Sequence, residues 1–165
     1  MYFVSLNLIL EYKLYNFDKM LGGCMKKYIN LILLLIWLIF IFVMSHFDAD
    51  TSSSQSGSIV EVIANIFNIK NIEILSLIIR KLAHITEYFI LGILTINCLK
   101  DYKIKYLYIS SILFCIIYAC SDEFHQLFIS GRSGTIIDVL IDSIGIILGI
   151  FIYKLFKKLV LNGNN

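Results

Sequence analysis

YINLILLLIWLIFIFVMSH, residues 28–46, runs without a single Asp, Glu, Lys or Arg. A helix needs about 20 mostly apolar residues to cross a bilayer, and this stretch supplies them. Three later segments have the same length, but each carries charge. KLAHITEYFILGILTINCL is residues 81–99, YLYISSILFCIIYACSDEF is 106–124, and TIIDVLIDSIGIILGIFIYKLF is 135–156. The pattern predicts an all-α fold, a polytopic bundle of four transmembrane helices.

Composition points the same way. Of 165 residues, 59% are hydrophobic and 16% charged, with mean hydropathy +0.84; soluble domains carry about 25% charged residues. The net charge of +2 comes without a basic patch interleaved with aromatics, which argues against nucleic acid. There is no proline, so turns must rely on Gly, Ser, Asn and Asp. Cys24, Cys98, Cys115 and Cys120 form no CxxC pair and read as small buried apolar residues. No nucleotide-binding loop or GxSxG elbow is present.

The first 24 residues pose a boundary question. Leu21-Gly22-Gly23-Cys24 resembles a lipoprotein cleavage box, but EYKLYNFDK before it is too charged for the apolar region such a box requires. Codons for Leu-Gly-Gly can read as a ribosome-binding sequence upstream of Met25 and its two lysines. The expectation is therefore a start-site artefact or unstructured extension over 1–24, with a real interfacial helix as the alternative, a membrane domain over 25–160, and a disordered tail over 161–165.

Lysines orient the spans. Lys26 and Lys27 precede the first, Lys100, Lys103 and Lys105 separate the second and third, and Lys154, Lys157 and Lys158 end the fourth. The alternate connections carry few basic residues, so the positive-inside rule puts both termini in the cytoplasm. Arg80 and Lys81 count against this without reversing it. Between the first two spans, Ser58 and Glu61 make a capping box. Ile59, Val62, Ile63, Ile66 and Phe67 then form one apolar face, predicting a short amphipathic helix on the outer side, packed against the bundle.

On this orientation every intramembrane charge falls in the outer half. His84 and Glu87 lie three apart and Asp138 and Asp142 four apart, each pair on one helix face. Asp122 and Glu123 close the third span, followed by His125 and Arg132. An unpaired charge at mid-membrane costs about 2.5–3.5 kcal/mol on insertion scales. These groups should therefore meet across the bundle interior or be protonated, with Arg132 bridging two carboxylates or holding a phosphate. His46 borders the expected site. Gly92, Gly145 and Gly149 read as close helix packing.

RKLAHITEYFILG followed by SDEFHQLFISGRSGTIIDVLIDSIGIILG resembles the VanZ-like family of bacterial membrane proteins. The matching positions are Lys81, His84, Tyr88, Asp122, Glu123, Gln126, Phe128, Gly131, Arg132, Asp138, Asp142 and Gly145. Ser45 and Gln55 are similar to a Ser…Gln stretch of the family, and Ser130 stands where the family often has proline. The resemblance covers about residues 28–155. It implies a place in the cell envelope and a link to reduced susceptibility to teicoplanin-type glycopeptides. It also implies Lys81, Tyr88, Gln126 and Arg132 as substrate-binding residues.

Three functions fit these residues. In an outer-leaflet enzyme acting on a lipid-linked substrate, His84 or His125 would be the acid or base, tuned by Glu87 or Glu123. Arg132 would bind a lipid phosphate or pyrophosphate, Asp138 and Asp142 would hold Arg132 or a divalent metal, and Asp122 would join the catalytic group. Two histidines with several carboxylates are donors enough for zinc, though their spacing matches no recognised zinc motif. The second function is non-catalytic binding of a cell-wall lipid precursor or lipoglycopeptide. The third, a transporter, is disfavoured because the cytoplasmic halves of the spans carry no charge. The expected partners are membrane lipids or lipid-linked cell-wall intermediates.

Overall fold

The computed structural model describes residues 2–47, 57, 60–132 and 134–162. Five helices account for nearly all of them. Helix α1 is Tyr2–His46, α2 is residues 60–67, α3 is Ile72–Asp101, α4 is Leu107–Gln126 and α5 is Ile136–Asn162. Four stretches are long and apolar enough to cross a membrane: Leu21–His46, Ile72–Asp101, Leu107–Gln126 and Ile136–Leu159. Large apolar side chains such as Ile39, Ile109, Ile117 and Ile136 are exposed over the outside. Such a surface suits lipid and not water.

The second span begins earlier than hydropathy alone suggests. Residues 72–80, expected to belong to the preceding interfacial segment, continue into α3. Two asparagines explain the break before it. Asn68 takes a left-handed backbone (φ 51°), and the Asn71 side chain accepts from the Ile74 N–H at 3.1 Å as the N-cap. Helix α3 has 30 residues. Counting back from Asp101, Lys81 lies roughly 30 Å up the helix, a full hydrocarbon thickness. The turns before Lys81 carry α2. Val60 and Ala64 of α2 bury against Leu75. Val62, Ile66 and Phe67, expected to face the bundle, are instead exposed. Ser58 and Ile59, the start of the expected capping box and apolar face, lie outside the described residues, as do Gln55 and residues 163–165.

The two ends of the bundle differ. At one end Lys27 and Lys154 sit over the rings of Tyr102 and Tyr108, and Asn30 donates to Asp101 at 2.6 Å. At the other end, α1 and α4 finish where α3 and α5 begin. The tightest approach is α3 on α5. A Cβ on Gly145 would stand 2.3 Å from the Ile85 carbonyl oxygen, and one on Gly149 2.2 Å from that of Phe89. Tyr88, Leu91, Ile96, Cys115, Ala119 and Ile146 are fully buried in the interior. Cys98 and Cys115 are buried as expected, but Cys24 and Cys120 are exposed on the apolar outer face.

Candidate functional site

The close α3–α5 pairing brings His84 and Asp142 together at the end of the bundle opposite the lysines. His84 Nδ1 lies 3.6 Å from Asp142 Oδ1, too far for a hydrogen bond. Asp142 is fully buried, and neither of its carboxylate oxygens has a hydrogen-bond partner among the described residues. Both residues line a cavity of about 160 Å³, together with Arg80, Lys81, Glu123, Gln126, Arg132 and Asp138. That volume holds several waters at about 30 Å³ each.

Helix α4 supplies the far wall through Glu123 and Gln126. Glu123 is held from two sides: its Oε2 accepts from the Thr135 backbone N–H at 3.2 Å, and its Oε1 accepts from Gln126 Nε2 at 3.3 Å. Thr135 is the N-cap of α5, and its Oγ1 accepts from the Asp138 N–H at 3.2 Å. In a capping box the carboxylate three residues on would take the cap's own N–H. Here Glu123 takes it, so α4 and the start of α5 are joined. Gly134 permits this approach, because a Cβ there would stand 2.0 Å from the Glu123 carbonyl oxygen. Thr135 and Gly134 were not legible as site residues from the sequence.

The connection from α4 winds down through short turns, with Phe128 N–H donating to His125 O at 3.0 Å and Ile129 N–H to Gln126 O at 3.1 Å. Gly131 then takes a left-handed φ of 72°, which glycine adopts without strain, and turns the chain into Arg132. The expected bridge from Arg132 to carboxylates is not what forms. Its guanidinium makes long contacts to Gln126 Oε1 (3.5 Å) and the Met44 carbonyl (3.4 Å). Among the described residues no carboxylate lies within ion-pair distance of it. Burial, and after it the neighbouring Arg80 charge, holds the Arg132 guanidinium below its usual pKa. Arginine stays charged regardless, so an anion would relieve both effects.

The remaining predicted residues occupy three different positions. Lys81 pairs with Asp138 at 2.6 Å at the rim of the cavity, and Thr135 Oγ1 also donates to Asp138, at 2.7 Å. Asp122 lies behind the cavity, where its Oδ2 accepts from Ser45 at 2.8 Å, Tyr88 at 3.2 Å and Gln126 at 3.3 Å. Tyr88 is fully buried and reaches this carboxylate, not the cavity. Glu87 is half-buried beside the site, within electrostatic range of His84, Asp122, Asp142 and Arg132, and its backbone carbonyl accepts from Trp37 Nε1 at 3.0 Å. His125 and His46 stand apart. Their rings stack on each other and on Phe42, with ring nitrogens 3.2 Å apart, on the α1–α4 side. Arg80, which the sequence reading used only for orientation, belongs to the cavity wall.

The sequence model of the VanZ/LLP1 family matches residues 30–157, a stretch that includes every residue lining the cavity. The chain belongs to that family. No curated protein and no solved structure gave a match.

Proposed function

We propose that this VanZ/LLP1 membrane protein binds, and acts upon, the phosphate-bearing headgroup of a lipid-linked intermediate at the outer leaflet of the cell envelope. The observation that carries the reading is the cavity itself. Arg80, Lys81 and Arg132 line one small volume together with His84, Glu123 and Asp142. Guanidinium groups hold phosphate oxygens in a fixed fork, while a buried imidazole beside a carboxylate can take or give a proton. An apolar groove between α2 and α3, about 470 Å³, shares Leu77 and Arg80 with the polar cavity. A headgroup in the cavity could thus extend its apolar tail along that groove. The lysine-rich opposite end supports an outward-facing site through the positive-inside rule. Reduced susceptibility to teicoplanin-type glycopeptides follows if the altered lipid is one the drug depends on.

A second reading, binding without turnover, draws on Asp122. Its three donors make part of the polar interior a helix lock and not reacting machinery. Mass spectrometry of membrane lipids from cells with and without the protein separates the two. A headgroup species that appears only with intact His84 supports chemistry, and an unchanged lipid profile supports binding alone.

Arg132→Gln tests headgroup recognition directly. Charge-assisted hydrogen bonds contribute about 1.5–3 kcal/mol, so binding of a polyprenyl phosphate in nanodiscs should weaken by about 10- to 100-fold. Arg132→Lys should recover part of it. Native mass spectrometry of the lipid complex gives the readout, and equal retention by wild type and Arg132→Gln would count against the phosphate.

A further inference from the structure

We infer that His84, Glu123 and Asp142 form a binding site for a zinc-type divalent cation, Zn²⁺ or Mn²⁺. One ligand atom from each residue lies within 4.8 Å of the other two. The three come from α3, α4 and α5, so a single ion would tie three helices together at the cavity. The His84–Asp142 separation of 3.6 Å is awkward for a hydrogen bond but suits a shared ion. Two ligands at about 2.1 Å from a tetrahedral zinc stand roughly 3.4 Å apart.

A second observation is independent of that spacing. Asp142 is 0% exposed, yet both its oxygens are without hydrogen-bond partners, and so is His84 Nδ1. Buried polar atoms are almost always satisfied, and these three unsatisfied atoms line the same cavity. A cation there would satisfy His84 Nδ1 and one Asp142 oxygen at once. Glu123 meanwhile shows what supports a ligating carboxylate: Gln126 and the Thr135 N–H fix its orientation while leaving lone pairs available. One imidazole with two carboxylates is a mixed N/O set, which suits zinc or manganese better than a soft thiolate-seeking ion. Three protein ligands would leave a fourth position for a phosphate oxygen or a water.

The inference goes beyond the headgroup reading but shares its cavity, so the test must separate them. Full-length protein is placed in phosphatidylcholine nanodiscs without anionic lipid and titrated with Zn²⁺ or Mn²⁺ alone. The expected result is one saturable site per chain. Asp142→Asn and His84→Ala should abolish it, Gln126→Ala should weaken it by about 10- to 100-fold, and Arg132→Gln, which only removes a like charge from the cavity, should retain or tighten it. Arg132→Gln losing lipid while keeping metal separates the two readings. Wild type taking up no more metal than a folded Asp142→Asn overturns the site. Should that variant not fold, Co²⁺ decides on the wild type. Intensified visible bands that Zn²⁺ displaces support the site, whereas the spectrum of the aqueous ion overturns it.

Discussion

Gly145→Ala will loosen the bundle, although alanine is the better helix former. The gain in helix propensity is about 0.5–1 kcal/mol. Against it, the new Cβ would meet the Ile85 carbonyl oxygen at 2.3 Å, and backbone cannot rotate away as a side chain can. Overpacking of this kind costs about 1–3 kcal/mol, so it wins. Gly149→Ala meets Phe89 O at 2.2 Å and should behave alike. Gly22→Ala and Gly23→Ala are the controls: nothing lies within 4 Å of either new Cβ, so propensity alone acts and stability holds or rises. Unfolding in a detergent titration checks the sign at each position. Gly145→Leu should yield no folded protein. The functional loss should exceed the loss of stability. Ile85 adjoins His84, and Gly145 follows Asp142 by less than one turn. Forcing α3 and α5 apart by even 1 Å therefore separates the two groups across the cavity, a displacement that can cost about 100-fold in catalysis.

The spans were legible because hydropathy over 20 residues needs no tertiary information. The start of α3 was not, because Asn71 announces a helix only once its side chain is seen to cap Ile74. The site was half legible for a related reason. Helical phase is readable from sequence: Arg80, Lys81 and His84 share one face, as do Asp138 and Asp142. The same arithmetic could have set His125 aside, since it lies two residues from Glu123 and about 200° round the helix. That is the side on which His46 and Phe42 stack. Phase cannot say which face meets which neighbour, however. Whether Asp122 or Glu123 enters the cavity depends on how α4 rotates against α1, where Ser45 claims Asp122. The Thr135–Glu123 link was invisible for another reason: it uses a backbone N–H, which every residue except proline possesses. Of the two roles expected for Arg132, the carboxylate bridge does not form, because the turn at Gly131 directs the side chain to Gln126 and Met44.

Two buried aspartates should respond in opposite ways, and the contrast tests the whole assignment. Asp122→Ala removes the acceptor shared by Ser45, Tyr88 and Gln126. Those donors are then stranded in an apolar interior at about 1–3 kcal/mol each, less whatever relaxation recovers. A loss of about 2–5 kcal/mol in unfolding free energy is the expected result. Asp142 has no such donors, since both oxygens are unpartnered at 0% exposure. Asp142→Asn keeps the size and strands no neighbouring hydrogen-bond donor, so it should cost clearly less stability than Asp122→Ala. Function should not survive. Losing a proton-handling or ligating carboxylate costs about 100-fold or more. A residue that the fold tolerates only at a cost, and whose removal abolishes headgroup conversion or binding while sparing the fold, is retained for function. If Asp142→Asn instead unfolds the protein as Asp122→Ala does while headgroup handling persists, the His84–Asp142 pair is a helix lock, and the cavity's chemistry must lie with Arg80, Glu123 and Arg132.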